Sequence, residues 1–386
     1  MLTEQILTNA QVVTADRVFT GTVVLRDGMI VEVQEGRSQL PQALDMQGDY
    51  LLPGLVELHT DNLEKHLSPR PGVDWPSASA VLSHDAQIIS SGITTVFDAL
   101  SIGDVNPKGK RMQQLPAMLE AIASANAAGL TRAEHRLHLR CEVCHPDTLS
   151  VFRDLVEQPL VQLVSVMDHS PGQRQFALES KYREYYMGKY HLTTAQMDAF
   201  IVEQVANSRE YSDRYRRAIV QDCLARGLSV ASHDDATVAH VEESAGYGMS
   251  IAEFPTTTDA AQTCRRLGMS VLMGAPNVVR GGSHSGNVSA ADLAKQGLLD
   301  ILSSDYYPAS LLQAAFTLAG QGEHCTLAQA VAMVSRAPAV AAGLVDRGEI
   351  RTGLRADLVH VRADLSRAEG TLPVIQHVWR QGKRVY

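Results

Sequence analysis

Apolar and polar positions change rhythm twice along the 386-residue chain. Over the first fifty residues apolar side chains alternate with polar ones, in "QILTNAQVVT" and "GTVVLRDGMIVEVQ", with turn signals at Asp27-Gly28 and Glu35-Gly36. That period of two predicts short strands joined by tight turns. The last forty residues, "GEIRTGLRADLVHVRAD" and "PVIQHVWRQGKRVY", read the same way. Between the ends the alternation gives way to nearly continuous apolar runs: "LLPGLVEL", "GITTVFDAL", "HRLHLRCEV", "VQLVSVMDH", "GLSVASHDD", "SIAEFPT", "MSVLMGAPN" and "LDILSSDYY". Such runs fit strands buried on both faces of a parallel sheet. Helix-like stretches, 113–128, 258–268 and 309–320 among them, separate many of the runs. Eight strands with intervening helices predict an α/β fold, a (β/α)8 TIM-like barrel over 51–344,. The strand-rich ends, 1–50 and 345–386, are expected to pair into one small β-sandwich domain. The stretch 170–222 is too long for an ordinary connection and is rich in Tyr, Arg and Lys, which marks it as an insertion suited to act as a lid,.

The ends of the apolar runs are polar. In order they offer His59 and Asp61, Asp98, Glu142, Asp168 and His169, His233 with Asp234 and Asp235, Glu253, Asn277 and Asp305. In a parallel barrel the carboxyl ends of all strands share one face, where active sites sit. Histidines and carboxylates gathered there call for a bound cation to offset the buried charge. His59 and Asp61 are spaced i, i+2, so an extended strand turns both to one side and offers two ligands from one rigid element,. Taken singly, each has a plainer use: His233 as a loop histidine, His169 as the start of a turn before Ser170-Pro171-Gly172, Asp305 as a helix cap,. Their recurrence at successive tips favours the metal.

Composition narrows the picture. The formal net charge is −9, which speaks against a nucleic-acid partner,. No apolar run reaches the roughly 18 residues of a membrane span. The start "MLTEQILTNAQVV" lacks a basic segment followed by an apolar core, so no signal peptide is expected,. Five cysteines, an odd number in a long chain, point to a reducing compartment and hence the cytoplasm,. "CEVCH" at 141–145 matches the haem-attachment spacing, but it reads as a strand end with buried thiols,. An anionic ligand would need local positive charge. The glycine-rich "MGAPNVVRGGSHSGN", 273–287, supplies Arg280, Ser283 and His284 after the seventh strand, where this fold often holds phosphate,. Lys65 and Arg70 follow the first strand tip, and Arg174 and Lys181 lie in the insertion after Asp168 and His169.

"LLPGLVELHTD", "GITTVFDA", "GLRADLV" and "VWRQGKRV" resemble the frame of the amidohydrolase superfamily. "PGLVELHTDNLEKHLSPRP", "MDHSPGQRQF", "ASHDDAT" and "LSSDYYPASLL" are similar to its phosphonate-metabolism branch, in the carbon–phosphorus lyase pathway. The resemblance covers nearly the whole chain. It implies a metal-dependent hydrolase barrel that converts alpha-D-ribose 1-methylphosphonate 5-triphosphate to the 5-phosphate and diphosphate. It also implies one or two divalent cations, zinc first and manganese, iron or nickel as alternatives, held by His59, Asp61, Glu142, His169 and His233. Glu142 resembles the bridging glutamate of the sugar-phosphate deacetylase branch, His233 matches the usual strand-five histidine, and Asp305 matches the strand-eight aspartate that serves as general base. Departures are His-x-Asp in place of His-x-His, no lysine ending the fourth strand, and Glu253 where strand six usually has a histidine. Lys65, Arg70, Arg174, Lys181, Arg280, Ser283 and His284 are the residues expected on the substrate. The partner expected is thus a small phosphorylated sugar, and a homo-oligomer is compatible with the sequence. Two rivals stand beside this reading: hydrolysis of a C–N bond, as in a cyclic amidase or deaminase, and a non-catalytic pathway subunit.

Overall fold

The computed structural model describes residues 4–106, 109–174, 179–283, 286–320, 325–365 and 372–386. Five strands open the chain: β1 (Glu4–Val13), β2 (Val18–Arg26), β3 (Met29–Glu35), β4 (Leu44–Asp45) and β5 (Tyr50–Pro53). Eight follow in the centre: β6 (Leu55–Thr60), β7 (Ile93–Ile102), β8 (Glu134–Glu142), β9 (Val161–Met167), β10 (Ser229–His233), β11 (Ile251–Glu253), β12 (Ser270–Gly274) and β13 (Ile301–Ser303). The chain closes with β14 (Leu358–Arg362), β15 (Val374–Arg380) and β16 (Lys383–Arg384).

The two ends share one sheet, in the order β16-β15-β14-β5-β1-β2-β3, with β4 beside β1. Its core packs Leu7, Val12, Val23, Leu25, Ile30, Leu51, Leu358 and Trp379. The β2–β3 hairpin turns at Asp27 and Gly28, which take φ of 51° and 84°. Two successive left-handed residues match the right-handed twist of the flanking strands, and Asp-Gly tolerates them.

The central strands form a second sheet, β13-β12-β11-β10-β9-β8-β7-β6. A parallel bridge between Thr60 and Asp305 joins its first and last strands, giving a nearly closed eight-stranded parallel barrel. Each of the eight apolar runs read from the sequence overlaps a strand of this sheet.

One of those runs is divided. "LLPGLVEL" reads as a single strand, yet Leu51–Pro53 end β5 in the terminal sheet while Leu55 begins β6 in the barrel. The break falls at Gly54, whose amide donates to Asp357 O at 2.8 Å. A Cβ there would meet Thr94 Oγ1 at 2.3 Å, so only glycine permits the approach,.

Contacts divide the chain into two compact units: Met1–Asp98 with Ala121–Arg136 and Met273–Tyr386, and Ala99–Glu120 with Leu137–Leu272. The second unit holds the long insertion. There the helix Thr194–Asn207 starts in a capping box, with Thr193 and Gln196 satisfying each other's amides,. It packs on the helix Glu179–Tyr190 through Tyr182, Tyr186, Met197, Phe200 and Ile201.

Candidate active site

In the first unit, β6 carries Glu57, His59 and, one residue past its end, Asp61. Glu57 and His59 are fully buried and Asp61 is half-buried. The Glu57 carboxylate accepts from the His59 amide at 2.7 Å, from Ser303 Oγ at 2.7 Å and from the Ser304 amide at 2.6 Å. Burial pushes the Glu57 carboxyl up to about 7, and these donors only partly offset the lost hydration,. The clasp ties β6 to β13 immediately before Asp305. Asp305 then bends: its φ is 55°, its amide donates to His59 O at 3.1 Å, and Thr60 Oγ1 donates to Asp305 O at 2.7 Å. His59 and Asp305 are thus fixed to each other through backbone and the buried Glu57.

In the second unit, β8 and β10 end in Glu142 and His233, and His169 stands two residues past the end of β9. The Glu142 carboxylate receives His169 twice, from the amide at 2.9 Å and from Nδ1 at 2.5 Å. The His169 and His233 rings lie 5.6 Å apart at 84°. Asp234 Oδ2 is 3.6 Å from Nε2 of each. On its far side His233 Nδ1 meets Glu253 Oε2 at 3.1 Å. Burial alone would lower His169, but Glu142 and Asp234 outweigh it and raise the ring to about 10. One ligand atom each of His169, His233 and Asp234 lies within 4.8 Å of the others. Two imidazoles and a carboxylate, backed by further carboxylates on the histidines' other nitrogens, are a donor set that fits a divalent cation.

The bends that expose these groups recur. Asp234, just past β10, and Phe254, just past β11, have φ of 56° and 55°. The amide of each donates to the tip of the next strand, Asp234 to Glu253 O and Phe254 to Leu272 O. Left-handed non-glycine residues concentrate where a site needs side chains held against the backbone's preference.

Two residues that the sequence reading passes over belong here. Glu57 shares parity with His59 and Asp61, and His138 shares parity with Glu142 on β8. His138 is fully buried, 2.8 Å from Ser165 Oγ and 3.8 Å from Glu253 Oε1. Period-two counting back from each tip would have found both.

A match to the amidohydrolase family model covers residues 90–386. The chain belongs to the amidohydrolase family. It is 55% identical, over 99% of its own length and 100% of the relative's, to the alpha-D-ribose 1-methylphosphonate 5-triphosphate diphosphatase of Escherichia coli K12. Among solved structures it is similar to N-acetyl-D-glucosamine-6-phosphate deacetylase from Mycobacterium smegmatis, with TM-score 0.63 at 17% identity, covering 99% of this chain and 100% of that one. It is also similar to dihydropyrimidinase from Brevibacillus agri, with TM-score 0.60 at 12% identity and coverage of 99% and 95%. These structures support the fold alone.

Several polar residues of this amidohydrolase stand elsewhere than the sequence suggests. Asp98 does not project from a strand tip: it is fully buried, its carboxylate held by His84 and His135. Asn277 pins the loop after it, donating to Val288 O and accepting from the Ala290 amide. Asp168 accepts from Ser170 and Ser208 and pairs with Arg216 at 3.6 Å. Arg174 is 3% exposed and bound to Asp235 and to Glu243, the latter at 3.1 Å. Burial and the neighbouring Arg216 pull it down to about 10. Lys181 is exposed and pairs with Glu184 one turn on. Lys65 donates to Tyr306 O, beside Asp305. Arg70 and Arg280 are exposed and Ser283 is half-buried, while His284 lies outside the described residues. Among the described residues no helix is long and apolar enough to cross a membrane.

Proposed function

We propose that this chain hydrolyses alpha-D-ribose 1-methylphosphonate 5-triphosphate to the 5-phosphate and diphosphate. The observation that carries the reading is the full-length, 55% identity to an enzyme of that name. The donor set at the barrel's strand tips supports it. In a parallel barrel the tips of β6, β8, β9, β10 and β13 share one face. On that basis His59 and Asp61 of the first unit and Glu142, His169 and His233 of the second would be the residues to hold one or two divalent cations, zinc first, with Asp234 as an added oxygen donor. When bound, such a cation supplies Lewis-acid chemistry, polarising a phosphoryl oxygen and acidifying water.

Asp305 takes the proton from the attacking water at a carboxylate oxygen. Oxygen from that water forms the new bond to the α-phosphorus, the bond from α-phosphorus to the bridging oxygen breaks, and diphosphate departs. Lys65, Arg70, Lys181, Arg280, Ser283 and His284 would be the residues to offset the charge on the polyphosphate. Arg174, engaged by Asp235 and Glu243, holds the loop behind Asp234. The insertion excludes water from the polyphosphate as a lid. The reading is of a cytoplasmic enzyme acting on a small phosphorylated sugar, with no use for nucleic acid or lipid.

The test is product analysis on the triphosphate substrate, with Asp61→Ala and Asp305→Asn as controls. Diphosphate released by the native protein and lost in both variants is the expected result. Orthophosphate as first product, or hydrolysis of a cyclic amide instead, would overturn it.

A further inference from the structure

Behind the first strand tip lies a polar cluster that the chemistry above does not use, all of it within the first unit. Asp98 on β7 accepts from two imidazoles, His84 Nε2 on one oxygen and His135 Nδ1 on the other, each at 2.7 Å. All three side chains have no exposure. His135 Nε2 meets Asp85 Oδ1 at 3.3 Å, and Asp85 also accepts from the amides of Arg132 and Ala133. In the other direction His84 Nδ1 is 3.0 Å from Asn62 Nδ2, and the same amide donates to Gln87 Oε1 at 3.0 Å. Gln87 Oε1 in turn lies 3.1 Å from His66 Nε2.

The protons can be counted. An amide nitrogen only donates, so His84 Nδ1 must accept, and its proton sits on Nε2, toward Asp98. His135 faces a carboxylate on each side, so both of its nitrogens donate and the ring is an imidazolium. Burial would lower it, but Asp98 and Asp85 prevail and raise it to about 9. His84, where burial is opposed by Asp98 alone, is lowered instead. Each of these donors thus has an acceptor, with the two carboxylates offset by His135 and, at the surface end, by Arg132. The complement is closed by protons without a cation. It is also no proton conduit, because the Asn62 amide cannot accept a proton from His84 and pass it on.

Its end point tells its use. Asn62 opens the helix α1 (Asn62–Leu67) directly after Asp61, and the Asp61 side chain gives that helix no cap. Asn62 and His66 are held from outside instead, by His84 and Gln87 of the helix α2 (Ser77–Ser90). We infer that His84, Asn62 and Gln87 are positioning residues that aim the Asp61 carboxylate at the metal, with Asp98 and His135 as their buried anchor. The inference rests on the reading of Asp61 as a ligand.

The experiment measures Zn²⁺ affinity of the full chain by chelator competition, together with kcat and KM. Asp61→Ala is the reference: if it leaves affinity unchanged, the ligand reading itself fails. Where Asp61→Ala does weaken binding, Gln87→Ala, at a half-buried position, and His84→Ala should each weaken it by about 10–100-fold. Both should lower kcat with KM unchanged. His84→Gln, which keeps one donor and one acceptor, should recover most of the loss. A merely structural cluster would lower the melting temperature and leave affinity and kcat alone. The inference is overturned if Gln87→Ala binds Zn²⁺ as the native protein does. It is overturned equally if His84→Ala loses an equivalent of metal that Asp61→Ala retains, since the cluster would then be a metal site itself.

Discussion

His169 Nδ1 and the Glu142 carboxylate lie 2.5 Å apart, while the His169 amide donates to that carboxylate's other oxygen at 2.9 Å. One acidic group ending β8 therefore fixes both the ring and the backbone of His169, two residues past β9. Glu142→Gln removes the charge and turns an acceptor into a donor facing a donor. Zn²⁺ affinity should fall by about 10–100-fold, as read by chelator competition. Affinity unchanged in Glu142→Gln would remove Glu142 from the site.

The same pair sets a pH dependence. His169 is raised from 6.5 to about 10, so in the metal-free protein it stays protonated at neutral pH. A raised folded pKa contributes stability that is present below about 6.5 and is lost as pH rises through about 10. The metal-free protein should therefore lose stability across that window. Binding a cation displaces the proton, so affinity should rise with pH, by up to about tenfold per unit. Zn²⁺ titrations at pH 6.5 and 7.5 with proton release measured in parallel check both the sign and the stoichiometry.

Asp305 sits at φ 55°, a conformation that asparagine adopts with little strain,. Asp305→Asn should keep the fold and the Thr60 bridge while losing the carboxylate base. A fall in kcat of about 10²–10⁴-fold with an unchanged melting temperature is expected. Full activity in Asp305→Asn would assign proton transfer to another group.

Arg174 reads from the sequence as a substrate cation, but its guanidinium is buried against Asp235 and Glu243. Removing it leaves Asp235, which is 1% exposed, as an uncompensated buried charge. Arg174→Ala should cost about 3–5 kcal/mol of stability, seen in denaturant unfolding. Native stability with a raised KM would instead mean that the guanidinium reaches the substrate.

The contrast between Arg174 and the strand tips shows what a sequence exposes. Eight apolar runs mark eight barrel strands because burial on both faces leaves a local signature. His59, Glu142, His169 and His233 are legible for the same reason: each lies at or near the end of such a run. Partners far apart in sequence leave no such mark. Nothing local says that Arg174 meets Glu243, that Asp98 turns to His84 and His135, or that Glu57 clasps Ser304. The division of "LLPGLVEL" between two sheets is equally silent, since both halves are apolar and only the closeness of Thr94 to Gly54 separates them.

That closeness makes the last test. A Cβ on residue 54 would lie 2.3 Å from Thr94 Oγ1, 2.8 Å from Thr94 Cγ2 and 2.9 Å from Asp357 Cβ. Thr94 is fully buried on β7 and Asp357 immediately precedes β14, so neither has open space to move into. Gly54→Ala should therefore cost about 1–3 kcal/mol or more through overpacking, read as a melting temperature several degrees lower. Thr94→Ala in the same chain removes the two nearest contacts and leaves only Asp357, so the double variant should recover part of the loss. A Gly54→Ala protein as stable as the native one would mean that the terminal sheet and β6 do not part at so close an approach.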